Sequence, residues 1–352
     1  MFVRNAWYVA AWADELDTIM ARRICDDAIV FFRHEGVAVA LQDRCLHRAA
    51  PLRLGKLVPE GIQCGYHGLV FDGSGRCVHI PVQDQIPSRA AVRAYPLVEK
   101  DAMIWIWMGD PAAADPGSIP DFPYHEDKER WPHKGAVFHI KANYQLIADN
   151  LMDMTHLAYV HVTTLGGVSP LHTKAETKVE NTERGVHYVR WMTGMTPSPT
   201  FQKAMAFKGA IDRFQDFEFI APGAIVQHSG AVDAGFGGFE KERPTDGFQA
   251  RLFHGITPET ETTSHYFWSI ANGYRQSDPA ATEELFSETY RAFKEDQIIL
   301  EAEQEAISDM GEAGLLDIVS DRSRRQMRRA VQDMLDAERS PAAALHEVAN
   351  TA

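Results

Sequence analysis

Cys45-Leu46-His47, followed after sixteen residues by Cys64-Gly65-Tyr66-His67, decides how the first third of this chain is read. Each short segment pairs one thiol with one imidazole, so together they offer four metal-ligand side chains. Two thiolates on one iron and two imidazoles on the other would hold a [2Fe–2S] cluster, the neutral ligands raising its reduction potential. A structural zinc also accepts two Cys and two His. Zinc fingers, however, group their ligands as C-x2-C and H-x3-H, whereas here each loop mixes one Cys with one His. The two other cysteines, Cys25 and Cys77, read as small buried hydrophobes.

Around these loops the chain is rich in strand signals. Ile29 to Phe32, Val37 to Leu41 and Met103 to Trp107 are short apolar or alternating runs broken by Gly, Pro and Asp. The stretch GDPAAADPGSIPDFP, Gly109 to Pro123, has no periodicity and reads as a linker. We therefore expect an all-β domain over 1–115 and a second domain over 116–352. In the second, Gly185 to Met192, Ile225 to Val232 and His265 to Ile270 are expected strands. Tyr144 to His161 is rich in helix formers. Thr282 to Ile307 has Phe286, Tyr290, Phe293 and Leu300 along one face. A last helix is expected over Ser323 to Arg339. The fold class is α+β, with an antiparallel sheet and flanking helices in the second domain.

Composition bounds the partners. The chain has 352 residues, 45% hydrophobic and 24% charged, the balance of an ordinary globular protein. A net charge of −14 opposes binding to nucleic acid or an anionic membrane. The apolar run Ala6 to Trp12 is too short for a signal-peptide core, which leads us to expect a cytoplasmic location.

The second ligand-rich segment is DNLMDMTHLAYVH, which holds Asp149, Asn150, Asp153, His156 and His161. At 100° per residue the first acids and His156 share a helix face, but His156 and His161 diverge by about 140°. One metal could take both only if the helix bulges or ends between them. A 2-His-1-carboxylate set suits Fe(II) with open positions, and needs one more carboxylate. Asp296 is the candidate, three residues after Phe293 and four before Leu300, where an unpaired carboxylate would be costly. Glu295 beside it is the competing assignment.

CLHRAAPL, CGYHGLVFDGSGRC and D-x3-D-x2-H-x4-H together resemble the Rieske non-haem iron oxygenases. FVRNAWYVAAW, IWIWMGDPA and TPETETTSHYFW extend the likeness to the group containing vanillate O-demethylase, dicamba O-demethylase and toluenesulfonate methyl-monooxygenase. The resemblance implies one [2Fe–2S] cluster on Cys45, His47, Cys64 and His67, and one mononuclear Fe(II) on His156, His161 and Asp296. It implies oxidation by dioxygen of a methyl or methoxy group on an anionic aromatic, with electrons from a separate NAD(P)H-dependent reductase. Asn150 and Asp153 are its catalytic candidates beyond the ligands. Asp153 precedes His156 by three residues, so its carboxylate is expected to meet that ring's free N–H. In the family this acid also reaches a neighbouring subunit's cluster histidine, which implies a homotrimer. His254 and His228 are expected in the substrate pocket, and the glycine-rich Asp233 to Glu240 in a mobile loop near it.

Overall fold

The structure, a computed structural model, describes residues 1–167, 169–237, 243, 244 and 246–339. The glycine-rich run is only partly covered, since 238–240 lie outside the described residues. The chain divides into two compact units. One comprises residues 2–119 and 257–260, the other residue 1, 120–256 and 261–352. The division thus falls at 119/120 rather than 115, and four distant residues join the first unit. Hydrogen bonds explain their membership: the Cys25 and Asp26 N–H groups donate to Pro258 O and Glu259 O at 2.8 and 3.0 Å, and Thr257 Oγ1 donates to Val9 O at 2.7 Å.

The first unit consists of three antiparallel sheets. Trp7–Trp12, Met103–Trp107 and Leu97–Lys100 form one. Met20–Ile24, Asp27–His34, Val37–Gln42 and Ala94–Tyr95 form the second. The third has four very short strands, Lys56–Val58, Gly61–Gln63, Val70–Phe71 and Cys77–His79. Val30, Phe32, Leu41, Leu52, Ile62 and Phe71 pack into one core that also takes in Cys45, Cys64 and Cys77. The run Gly109 to Pro123 contains two single turns, each capped by an aspartate, Asp110 on the Ala112 N–H and Asp115 on the Gly117 N–H.

The second unit is built on a seven-stranded antiparallel sheet. Its strands are β1 (His133–Ile140), β2 (Glu176–Thr182), β3 (Gly185–Met195), β4 (Ile211–Ile220), β5 (Ala224–Asp233), β6 (Phe248–Thr260) and β7 (Thr263–Asn272), in the order β1-β7-β6-β5-β4-β3-β2. From β2 to β7 each strand pairs with the next in sequence, α2 lying in the connection between β3 and β4. Among the described residues four α-helices accompany it: α1 (Tyr144–Met152), α2 (Pro199–Ala204), α3 (Pro279–Met310) and α4 (Arg322–Glu338). On α3 the residues Leu285, Thr289, Phe293 and Asp296 recur at helical spacing and are all buried. Phe286 stacks on Trp268 of β7 at 5.3 Å, and Phe293 meets the same ring edge-on at 4.9 Å, so aromatic contacts set this face of α3 against the sheet.

The segment Tyr144 to His161 differs from the expected helix. α1 ends at Met152, and Asp153 adopts extended backbone angles before a second, tighter turn over Met154–Ala158. One break therefore precedes both histidines, and the tighter turn then ends at Ala158, between His156 and His161 as their spacing requires. Asp153 itself causes the restart, because its Oδ1 accepts the Thr155 N–H at 2.8 Å as an N-cap.

α4 is anchored to α1 by charge. Arg328 Nε lies 3.0 and 3.1 Å from the two Asp149 oxygens, and Arg324 Nε lies 3.2 Å from Oδ2, with the Asp149 side chain 11% exposed. Removing the acid takes the shared carboxylate from two partly buried guanidinium groups, which keep only Asp317 and Gln145 as side-chain partners, at a cost between that of a surface pair and of a fully buried one. Asp149→Ala is expected to lower unfolding free energy by about 2 kcal/mol in urea titration, whereas a change below a few tenths would show that the pairs do not anchor α4.

Candidate functional site

In the first unit the two Cys-His segments form the same turn twice. The Cys45 N–H donates to Ala50 O at 2.8 Å and its C=O accepts from the Ala49 N–H at 2.9 Å. The Cys64 N–H likewise donates to Leu69 O at 2.8 Å, and its C=O accepts from the Gly68 N–H at 3.1 Å. Both turns close through a left-handed residue, Ala49 at φ 57° and Gly68 at φ 76°, a conformation that favours glycine at the second. The consequence is a shared polarity. Cys45 and Cys64 point into the core, 2% and 3% exposed, while His47 and His67 stand at the surface with ring centroids 4.5 Å apart. All four cysteines are free thiols. Two buried thiols behind two neighbouring exposed imidazoles suit a cluster with one thiolate-bound iron inside and one imidazole-bound iron outside.

In the second unit His156, His161 and Asp296 come together, with one donor atom from each lying within 4.8 Å of the others. Asp296 Oδ1 is 3.1 Å from His161 Nε2 and 3.6 Å from His156 Nε2. The same oxygen accepts from Asn150 Nδ2 at 3.1 Å, which ties α1 to α3 through the site. The remaining ring nitrogens are turned outward. His161 Nδ1 meets Glu295 Oε2 at 2.7 Å, and Glu295 also accepts from Thr164 Oγ1 at 2.9 Å. His156 Nδ1 meets the Asp153 backbone oxygen at 2.6 Å. Each imidazole is thus held by Nδ1 and presents Nε2, the orientation in which a metal ligand is preset. Burial lowers the pKa of His156. Burial is also the largest influence on His161, but the combined pull of Asp296 and Glu295 overrides it and raises that ring's pKa. The donor set of two neutral-capable imidazoles and one carboxylate fits a ferrous ion and leaves coordination positions free.

One expectation is corrected here. The Asp153 carboxylate does not orient His156, since the backbone carbonyl of the same residue takes that role. Its oxygens serve the Thr155 N–H and the Ser320 hydroxyl, the latter at 3.2 Å. Of the two competing acids, Asp296 faces both Nε2 atoms while Glu295 bonds the outward Nδ1 of His161, because adjacent positions on α3 point in different directions.

A cavity opens beside the triad and takes Asn150 on its wall as well. Its floor and sides are mostly apolar, among them Leu157, Phe201, Phe248, Leu252, Leu285 and Phe293. The sheet contributes the polar side chains: Arg213 and Gln215 from β4, Gln227 and Ser229 from β5. Register explains the grouping, because Gln215 pairs with Ser229, Phe217 with Gln227 and Arg213 with Ala231, placing one set of alternate positions on one face.

The same alternation corrects His228. Standing between Gln227 and Ser229, it faces the other side of the sheet, where Nε2 meets Gln249 Oε1 at 2.7 Å and the ring edge meets Phe214. Burial lowers its pKa to about 4. His254 is fully buried but is not among the cavity-lining residues. Its Nδ1 meets the Tyr266 hydroxyl at 2.7 Å and its Nε2 meets Gln227 Oε1 at 3.0 Å, so both ring nitrogens are taken. Burial drives its pKa down to about 3, and the ring is neutral, donating through Nε2 and accepting the tyrosine proton. Gln227 Nε2 in turn donates to Ser229 Oγ at 2.6 Å. His254 therefore positions cavity residues from behind. The residues missed from sequence are Arg213, Gln215, Gln227 and Ser229, together with the bond by which Glu295 holds His161. For the first four the available signal was polar residues at alternate positions of two strands.

Comparison with known proteins gives the same picture. Residues 6–96 match the Rieske [2Fe-2S] domain, and residues 140–337 match the vanillate O-demethylase oxygenase C-terminal domain. The chain belongs to the Rieske oxygenases. It is 38% identical over 342 residues to the iron-sulfur subunit of the toluene-4-sulfonate monooxygenase system of Comamonas testosteroni, covering 96% of this chain and 98% of that one. It is 35% identical over 329 residues to a vanillate O-demethylase oxygenase subunit of a Pseudomonas species, covering 92% and 98%. The crystal structure of dicamba monooxygenase bound to 3,6-dichlorosalicylic acid superposes with a TM-score of 0.88 at 34% identity, covering 96% of this chain and 99% of that one. This Rieske oxygenase is accordingly an oxygenase component whose family carries a [2Fe–2S] cluster and a mononuclear non-haem iron. No helix among the described residues is long and apolar enough to cross a membrane.

His254→Phe tests the positioning role. It leaves the Gln227 amide oxygen and the Tyr266 hydroxyl without partners in a buried site, and each unpaired group costs about 1–3 kcal/mol. A loss of about 2–4 kcal/mol in denaturant unfolding is expected, and an unchanged midpoint would place His254 outside any such network.

Proposed function

We propose that this chain is the terminal oxygenase of a Rieske monooxygenase system that oxidises the methyl or methoxy carbon of a small anionic arene, with O-demethylation as the principal reading. The observation that carries it is the largely apolar cavity bordered by His156, His161 and Asp296, the kind of lining that takes up an aromatic ring. In this reading those three residues hold the mononuclear iron, and Cys45, His47, Cys64 and His67 hold the cluster. When bound, these groups supply dioxygen activation and single-electron transfer.

The chain's own part is positioning. Asn150 holds Asp296 Oδ1, Glu295 holds His161 and the Asp153 carbonyl holds His156, so the donor atoms need little reorganisation when the metal enters. Leu157, Leu285 and Phe293 exclude bulk water and restrict the ring to few poses, keeping the reactive carbon close to the metal-binding wall. Electrons come from a separate reductase, as the sequence has no G-x-G-x-x-G unit of its own. The assembly is a cytoplasmic homotrimer in which Asp153 links one subunit's iron site to a neighbour's cluster.

Hydroxylation of an aryl methyl group is the second reading, favoured by relatives of the toluene-4-sulfonate system at 38% and 40% identity. The two separate by product. With reductase, NADH and dioxygen, a methoxybenzoate is expected to release formaldehyde in step with NADH consumption. Conversion of toluene-4-sulfonate alone, to an alcohol without formaldehyde, would replace the first reading by the second.

Asp296→Ala is expected to keep the visible absorption of the cluster, lose one iron per chain and cut turnover by at least about 100-fold. Full iron content with normal turnover would remove Asp296 from the ligand set. For Asp153→Asn, metal content and oligomeric mass should be unchanged while cluster reoxidation, followed by rapid mixing with substrate and dioxygen, slows at least about tenfold. A wild-type rate would mean that Asp153 is not the link.

A further inference from the structure

Arg213 is the one lysine or arginine among the described residues that line the cavity. It is 3% exposed, and the described residues offer it no carboxylate. Its Nη1 donates to the Leu165 carbonyl at 3.0 Å, its guanidinium lies 4.7 Å from the Phe201 ring centroid, and its buried Nε has no hydrogen-bond partner. Burial, the dominant influence, and nearby Arg190 push its pKa down to about 9, which still leaves it charged at neutral pH.

A buried cation without a counter-ion is costly, and proteins normally pair such a group or place it where a ligand pairs it. Asp296, the acid on the same cavity, is engaged by Asn150 and the two imidazoles. The neighbouring Asp212 is likewise taken, accepting the N–H groups of Gly194, Gly235 and Gly237. The same sheet wall provides a second donor. The relay from Tyr266 through His254 and Gln227 delivers an N–H to Ser229 Oγ, which leaves the serine hydroxyl proton free to point elsewhere. Gln215, the residue paired with Ser229, has its Oε1 engaged by Arg190 and its Nε2 directed at the Met154 sulfur, so it is fixed in place between Arg213 and Ser229.

We infer that Arg213 is a specificity-determining residue that binds the anionic group of the substrate from the sheet wall, with Ser229 as its hydroxyl partner. The inference rests on the proposed oxidation of an anionic arene and names the group that selects it. A guanidinium edge accommodates two oxygens of a carboxylate or sulfonate. Anchoring that end leaves the methyl-bearing end of the ring to the wall formed by His156, His161 and Asp296. A purely structural Arg213, holding the Leu165 carbonyl, would affect charged and neutral ligands alike.

The test is calorimetric binding to the iron-loaded, cluster-containing protein, using toluene-4-sulfonate and its uncharged analogue methyl 4-tolyl sulfone. The wild type is expected to prefer the anion by at least about tenfold, and Arg213→Gln to weaken the anion by about 30- to 100-fold while changing the sulfone by less than about threefold. Arg213→Lys, which keeps the charge and loses the fork, should fall between. Equal weakening of both ligands, or unchanged anion affinity in Arg213→Gln, overturns the assignment. Should the glutamine variant not fold, the lysine variant and the wild-type preference decide, and a wild type that does not favour the anion overturns it too. Continued oxidation of anionic arenes alongside a failed Arg213 test would leave the proposed function standing. A wild type that neither binds nor oxidises any anionic arene removes both.

Discussion

Asp296 Oδ1 is the atom on which the catalytic unit converges. It lies within reach of both histidine Nε2 atoms and accepts the Asn150 amide, so it joins α1, the turn that follows it and α3 at one point. A carboxylate on the buried face of a helix would be unfavourable by itself. Here the cost is offset by three polar partners and, in a family that carries mononuclear iron, by coordination. The aromatic packing of Phe286 and Phe293 on Trp268 holds α3 where that convergence is possible. The tighter turn over Met154–Ala158 ends between the two histidines and so resolves the spacing problem of the motif, because a continuous helix would send His156 and His161 to different sides.

The two candidate metal-ligand sets are buried in opposite ways. The cluster loops bury their thiols and expose their imidazoles, an arrangement produced by repeating one backbone turn at the ends of short strands. Exposed imidazoles suit a centre that must exchange electrons with a partner. The triad instead buries His161 and Asp296 beside a mostly apolar cavity, as expected where reactive chemistry has to be kept from water. Around the triad, every ring nitrogen not facing the site has a fixed acceptor, and the cavity's sheet wall is ordered by a hydrogen-bond relay running through His254.

Much of this was written in local sequence. Cys-x-His with Cys-x2-His and D-x3-D-x2-H-x4-H are contiguous patterns, and each candidate metal ligand other than Asp296 lies inside one of them. Asp296 was also legible, because helical periodicity places it on the same face as Phe293 and Leu300. The strands at 29–32, 37–41, 103–107, 185–192, 225–232 and 265–270 were recognisable from apolar runs, and the structure has a strand at each.

What the tertiary structure decided was direction. Along β5 the sequence offers Gln227, His228 and Ser229 in a row, and chemistry alone favours the histidine as a pocket residue. Only the pairing of β5 with β4 and β6 shows that His228 faces away, because side chains alternate sides and one residue of register reverses every assignment. His254 lies on the cavity-facing side yet stops behind Gln227, a matter of depth that no spacing rule encodes. Arg213 was invisible for the same reason. An arginine in a strand reads as a solvent-facing charge until long-range pairing buries it. Short-range patterns determine which atoms can bind metal, since ligand geometry is local. The shape and charge of the cavity arise from residues far apart in sequence, and only folding brings them to one wall.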